Sequence, residues 1–356
     1  MKQLFTSEQV SCGHPDKICD QIADGILDEC LKYDKDSRVA VEVMIKNYDI
    51  IISGEVTTRA DISTGILYEI VNSVLEYVGA DDKEKYIITN LLDKQSKDIA
   101  LGVDIGGAGD QGIMFGYATN ETPNLMPLAW SIATEALINL KKLNHPLLKP
   151  DAKSQVTIEY EDGKPLRIDT FLISTQHSIK ASLEDVKNIV KKIMIDTAKK
   201  YNMNTNFKIL VNPTGRFLIG GSHGDAGVTG RKIIADTYGG YAHHGGGAFS
   251  GKDPSKVDRS AAYMARKIAK DILRKKMADK CEIQLSYAIG VKEPISIFVN
   301  CFETNKIKIE EIIKFIKENY DLTPNGIINY LDLLNVRYSN TTVYGHFGKE
   351  NLLWER

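Results

Sequence analysis

The sequence predicts an α+β protein made of three similar two-layer domains, each built from a helix, a β-hairpin and a second helix. Three observations support this. The same order of elements recurs three times at intervals of about 115 to 130 residues, the hairpin strands alternate apolar and polar residues, and glycine-dense, aperiodic stretches separate the copies. The expected divisions are 1–100, 101–219 and 220–356, with the domains intertwined.

The first copy opens at Pro15, which suits an initial helical turn, and Asp16 complements the positive end of the helix dipole. Ile18, Ile22, Ile26, Leu27 and Leu31 then fall on one apolar face. Strands 38–46 and 50–57 follow around Asn47-Tyr48-Asp49, with a helix over 62–77. The second copy reads as helix 128–141, strands 155–160 and 166–175 hinged at Asp162-Gly163, and helix 183–201. The third reads as helix 256–278, strands 282–290 and 295–302, and helix 308–320. Alternation such as Val39-Ala40-Val41-Glu42-Val43 implies that each hairpin hides one face under helices. The stretches 95–116 and 212–251 are glycine-dense and read as the loops where chemistry resides.

At 356 residues, 43% of them hydrophobic, the chain is long enough for several cores. A formal charge of −2 with dispersed basic residues argues against a nucleic-acid partner. Apolar runs are strand length and no signal-peptide core follows Met1, so neither a membrane span nor export is expected, and the assigned compartment is the cytoplasm. Five cysteines, with no C-x-x-C pair, read as reduced structural thiols.

The segment from His244 to Lys256 carries the strongest chemical signal. Gly246 to Lys252 fits the G-x-x-x-x-G-K template of a P-loop, but Asp253 stands where that loop needs Ser or Thr, and no apolar strand leads into it. It therefore reads as a phosphate-binding loop of another kind. His14 and Lys17 at a helix mouth could donate to phosphate, and Asp16 could hold a magnesium ion. Lys153, and Arg231-Lys232 beside Gly230, add further cations. Together His14, Lys153, Arg231, Lys232, Lys252 and Lys256, with a metal at Asp16 or Asp258, exceed what one phosphate needs and suit a whole triphosphate. Such a concentration of charge favours catalysis when the triphosphate leaves. No G-x-S-x-G elbow and no kinase signature set is present, so a covalent mechanism has no support.

Three motifs, Gly13-His14-Pro15-Asp16-Lys17, Gly107-Ala108-Gly109-Asp110-Gln111-Gly112 and Gly245 to Asp253, make the chain resemble the S-adenosylmethionine synthetases (methionine adenosyltransferases) from Leu4 to Trp354. Asp151 to Val156 and Gly230 to Ile234 resemble further blocks in the same order. The resemblance implies attack of methionine sulfur on C5′ of ATP, followed by hydrolysis of the bound triphosphate to phosphate and pyrophosphate. It implies catalytic roles for His14, Lys153, Arg231, Lys232 and Lys252, and ATP contacts from these five together with Asp151, Arg216, Phe217, Asp225 and Ala248. Glu55, Gln95, Asp110, Asp225 and Lys256 are the implied methionine-side residues. Asp16 and Asp258 are implied ligands for two Mg2+ per site, and Glu42 for one K+ per subunit. A homo-oligomer, either a dimer or a dimer of dimers (a homotetramer) with the site at the subunit interface, is also implied.

Between Gln95 and Gly107 the chain is shorter than in many bacterial members, in the segment that forms the family's active-site lid, and faster product escape or weaker substrate retention is expected. Two rival readings are a nucleotide-dependent kinase, which would release ADP, and a catalytically silent nucleotide-binding subunit, for which an intact cation set would have no use.

Overall fold

The computed structural model describes residues 1–94 and 107–356. The first third holds β1 (Lys2–Val10), α1 (Pro15–Tyr33), β2 (Arg38–Lys46), β3 (Asp49–Thr57), α2 (Thr64–Val78) and β4 (Ile87–Asp93). The middle third holds β5 (Gly112–Thr119), α3 (Leu128–Leu143), β6 (Leu148–Glu161), β7 (Lys164–His177), α4 (Leu183–Lys200) and β8 (Lys208–Val211). The last third holds β9 (Gly227–Val228), α5 (Val257–Arg274), β10 (Lys280–Tyr287), β11 (Ser296–Asn300), α6 (Ile309–Asn319) and α7 (Pro324–Tyr330). The helix, hairpin, helix order is present in all three copies.

Each hairpin heads its own sheet, and the strand orders are β4-β3-β2-β9, β1-β6-β7-β8 and β11-β10-β5. In every sheet a strand that precedes another copy's first helix pairs antiparallel with the hairpin's first strand. The exchange is cyclic: β1 joins the second copy's hairpin, β5 the third's and β9 the first's. Sequence patterning did not announce these strands. β5 begins inside the glycine-dense 95–116 stretch, and β9 is only two residues long, too short for alternation to register.

The hairpins bury one face as alternation predicts. Val39, Val41, Val43 and Ile45 meet Ile18, Ile22 and Ile26 of α1, while Ile283 and Leu285 share the same core with Ala261, Ala265 and Ile268 of α5. A second core joins Val156, Ile158 and Phe171 to Ile132 of α3 and to Val186 and Val190 of α4. Each fully buried side chain of this size contributes about 1.5–3 kcal/mol. The capping chemistry is local: His14 caps α1 ahead of Pro15, and Ser182 with Asp185 forms a capping box on α4. Among the described residues no helix is long and apolar enough to cross a membrane, and all five cysteines are free and buried.

Candidate active site

One face of α1 organises the site. Asp16, Asp20, Asp24 and Asp28 recur every four residues, so their carboxylates line up along the helix. Each accepts backbone N–H groups from the last third of the chain: Asp16 from Val228 (2.9 Å), Asp20 from Gly230 (2.8 Å), Asp24 from Gly251 (3.0 Å), and Asp28 from Tyr338 (2.6 Å) and Ser339 (2.9 Å). Sequence reasoning singled out only Asp16. The signal for the others was present, because aspartate is a poor helix former and its repetition at helical spacing needs a partner.

The first cation group forms where this rail meets the β1–β6 pair. Val10 lies opposite Lys153, and the Ser11 N–H donates to the Ala152 carbonyl (2.9 Å), so the loop carrying His14 is set beside Lys153. His14 is buried, and its Nδ1 accepts from the Asp16 amide (3.2 Å), which leaves the ring proton on Nε2. Burial, reinforced by Lys232 and Lys153 and opposed by Asp16 and Asp225, pushes its pKa down to about 3, so the ring is neutral. Lys232 Nζ donates to Asp16 Oδ2 (2.5 Å), and Arg231 Nε lies 3.9 Å from Asp16 Oδ1. Burial works to raise the Asp16 pKa, but Lys232 and the Val228 N–H outweigh it and hold the carboxyl below its ordinary value. Buried Asp151 accepts from the Gly221 N–H (2.8 Å); its pKa is raised by burial, against the pull of Lys153 and Lys232.

Lys17, read from sequence as a phosphate donor, is buried instead. Its ammonium sits between Asp20 Oδ2 (2.9 Å) and Asp236 Oδ1 (2.6 Å). The correction has a simple cause: the start of α1 is buried throughout, and Lys17 lies three residues before Asp20 on the side of the helix that meets Asp236. This triad fixes the stretch from Gly230 to Asp236 at both ends, with Arg231 and Lys232 between.

The second group lies next to the first on the same edge of β2. Thr229 N–H donates to the Val43 carbonyl (2.9 Å) and Val41 N–H donates to the Gly251 carbonyl (3.0 Å), two strand residues or about 7 Å apart. The glycine loop is held by close approaches. A Cβ at Gly251 (φ +80°) would fall 2.1 Å from the Val41 carbonyl oxygen, and one at Gly247 would fall 2.3 Å from Asp258 Oδ1. Lys252 Nζ donates to Asp258 Oδ2 (2.5 Å), and Glu42, whose pKa is raised by desolvation against the pull of Lys252, points from β2 into the same field. Asp253 accepts from the Val39 N–H (2.7 Å), the Ser255 N–H (2.9 Å) and Lys256 Nζ (2.7 Å). The residue that breaks the P-loop template is thus a buried structural clip.

The remaining expected residues are dispersed around these two groups. Lys256 is committed to Asp253. Glu55 lies across Ala40 from Lys252, about 10 Å away by strand spacing. Asp225 is exposed within the field of His14, and Asp110 is exposed two residues before β5. Phe217 is held to the end of β7 by its N–H donating to His177 Nε2 (3.1 Å), with Arg216 exposed beside it; Ala248 packs against Gly230. Gln95 and the lid segment lie outside the described residues.

Among the described residues no three metal-ligating side chains converge. Asp16 and Asp258 each offer a carboxylate that faces a lysine, which fits Mg2+ held by one carboxylate with the rest of its shell from phosphate oxygens and water. Glu42 offers a single acid for a larger cation.

Three family models match almost end to end: the S-adenosylmethionine synthetase N-terminal domain over 2–97, the central domain over 105–217 and the C-terminal domain over 219–356. The chain is similar to the S-adenosylmethionine synthase of Mesoplasma florum, at 50% identity over 100% of this chain and 98% of that protein. It is similar to that of Mycoplasmopsis pulmonis at 52% identity, covering 100% of this chain and 96% of that protein. A third relative, the S-adenosylmethionine synthase of Mycoplasma capricolum, is 50% identical over 100% of this chain and 95% of its own. With all three domains matched in order, and relatives at half identity along its full length, this chain belongs to the S-adenosylmethionine synthetase family.

Proposed function

We propose that this protein makes S-adenosylmethionine from ATP and methionine, with three intertwined domains divided at 1–100, 101–219 and 220–356. The observation that carries it is the placement of Arg231–Lys232 and Lys252 on neighbouring positions of one β2 edge, which supplies cationic charge along a polyanion's length. A thioether sulfur is an unprotonated nucleophile, so no general base is needed; alignment and stabilisation of the departing triphosphate lower the barrier. His14, Lys153, Arg231, Lys232 and Lys252 bind the triphosphate, the neutral His14 through Nε2–H. Asp151, Arg216, Phe217, Asp225 and Ala248 place the nucleoside. Glu55, Gln95, Asp110, Asp225 and Lys256 hold methionine, acids toward its ammonium and the lysine toward its carboxylate.

Two Mg2+ ions, at Asp16 and Asp258, would neutralise phosphate charge, and a K+ would sit at Glu42. As Lys232 and Lys252 release these carboxylates, their ammonium groups turn to phosphate oxygens. The retained triphosphate is then hydrolysed to phosphate and pyrophosphate. A homo-oligomer in the cytoplasm, a dimer or a dimer of dimers, completes the site; exposed Ile87, Leu91, Ile113 and Phe298 on the sheets support burial against a second copy. Incubation with ATP, methionine, Mg2+ and K+ should yield S-adenosylmethionine, phosphate and pyrophosphate, whereas ADP would establish a kinase. Sedimentation checks the assembly, with a monomer contradicting a shared site.

A further inference from the structure

The glycine loop and the start of α5 must hold Lys252 and Asp258 in a fixed relation, yet Lys252 lies outside the named strands and helices and Asp258 stands in a helix's opening turn. Their fastening converges on one buried side chain. Asp24 is fully buried, and its carboxylate accepts four hydrogen bonds. Oδ1 accepts from the Gly251 N–H (3.0 Å) and Arg259 Nη1 (2.7 Å), while Oδ2 accepts from Arg259 Nη2 (3.0 Å) and Thr342 Oγ1 (2.7 Å). Four donors saturate a carboxylate's lone pairs.

Arg259 is as fully used. Its Nη1 also donates to the Lys252 carbonyl (3.2 Å), Nε donates to Tyr263 Oη (2.9 Å), Nη2 donates to Thr341 Oγ1 (3.2 Å), and the guanidinium lies 4.1 Å from the Tyr338 ring centre. The pair therefore grips the two-residue segment Gly251-Lys252 at both ends, through the Gly251 N–H and the Lys252 C=O, and Arg259 itself directly follows Asp258. Lys252 and Asp258 meet at 2.5 Å because the backbone under each is fastened to the same ion pair. A buried ion pair is a poor means of stabilisation, since well-packed apolar residues of similar volume do as well. It does fix direction, which a smooth apolar contact does not.

We infer that Asp24 is a positioning residue of the leaving-group site: through Gly251 and Arg259 it sets where the Lys252 ammonium stands relative to Asp258 and thereby tunes triphosphate binding and release. This deepens the proposed function and rests on it. Neither Asp24 nor Arg259 is assigned a contact with substrate.

The test compares Asp24→Asn, which keeps shape but leaves Arg259 without its charge partner, with Asp24→Leu/Arg259→Met, which removes both charges. Three quantities are measured on the full chain: the urea midpoint, the affinity for inorganic tripolyphosphate by calorimetry, and kcat with KM for methionine. The double variant should fold with a lowered midpoint, because the Gly251 N–H and the Thr342 hydroxyl lose their acceptor while both buried charges are removed together. It should bind tripolyphosphate about tenfold more weakly and lose about 100-fold in kcat, with KM for methionine changed less than about twofold. Recovery of midpoint, tripolyphosphate affinity and kcat together in the double variant would overturn the inference, since the pair would then serve stability alone. A double variant that fails to fold would overturn it as well, because the pair would be indispensable to the core. Should the unmodified chain form no S-adenosylmethionine, the functional reading fails separately, and the tripolyphosphate comparison still decides the role of Asp24.

Discussion

Asp253 and Val39 are joined twice: the Val39 N–H donates to the Asp253 carboxylate at 2.7 Å and the Asp253 N–H donates to the Val39 carbonyl at 3.1 Å. The pairing extends the β2 edge into the glycine loop and explains why the P-loop template fails at this position. Asp253→Ser, which would complete that template, should lower stability by about 1–3 kcal/mol and reduce rather than improve ATP use, because buried N–H groups lose their acceptor. Urea unfolding and a product assay check both halves, and a gain in activity would contradict the clip.

Two glycines of the same loop should respond differently to alanine. Gly251 has φ +80° and no room, so Gly251→Ala must displace the Val41 carbonyl and should cost about 2 kcal/mol or more. Gly246 has φ +93° but nothing within 4 Å of an added Cβ, so Gly246→Ala should cost only the backbone strain, about 1–2 kcal/mol. Thermal unfolding of the two variants orders them; equal losses would mean that the contact with β2 is looser than the geometry implies.

Removing a leaving-group cation should act on chemistry. Lys232→Met and Lys252→Met should each lower kcat by about 100- to 1000-fold with little change in KM for methionine, as expected for donors that stabilise developing charge. Steady-state kinetics at saturating ATP measures this. A rise in methionine KM with unchanged kcat would move these lysines out of the triphosphate site.

His14 makes acid destabilising. The folded chain holds its pKa at about 3, well below the ordinary 6.5, through burial and the nearby Lys232 and Lys153. Between these values the unfolded chain binds the proton and the folded chain does not. Its contribution is thus fully present above about pH 6.5 and is lost as pH falls, by at most about 1.4 kcal/mol per unit. His14→Asn, which can still cap α1, should flatten this slope in urea midpoints taken from neutral to about pH 5. An unchanged slope would show that the ring is charged in the folded chain.

Much of the molecule was readable before any coordinates. The helices and hairpins carried their own periodicity, and Asp16, Arg231, Lys232 and Lys252 stood in glycine-rich or helix-mouth settings, whereas Lys153 read locally as part of a charged turn before a strand. What escaped was long-range. β1 turns the polar Ser7 and Gln9 inward and so lacks apolar alternation, β5 begins in a glycine-dense stretch, and β9 is recognisable only by the edge it meets. Asp20, Asp24 and Arg259 were passed over because a charged residue inside a helix reads as a solvated face until a partner from a distant segment buries it. Lys17 was misread for the same reason, as its two carboxylate neighbours come from α1 and from a segment more than 200 residues away.

The cyclic loan of strands also limits how the chain can be divided. Cutting between copies would strip an edge strand from one sheet and leave a stray one on the fragment, so no single copy is a self-sufficient unit. The protein should melt in one step from end to end, and separately expressed thirds should be insoluble alone yet regain shape when mixed.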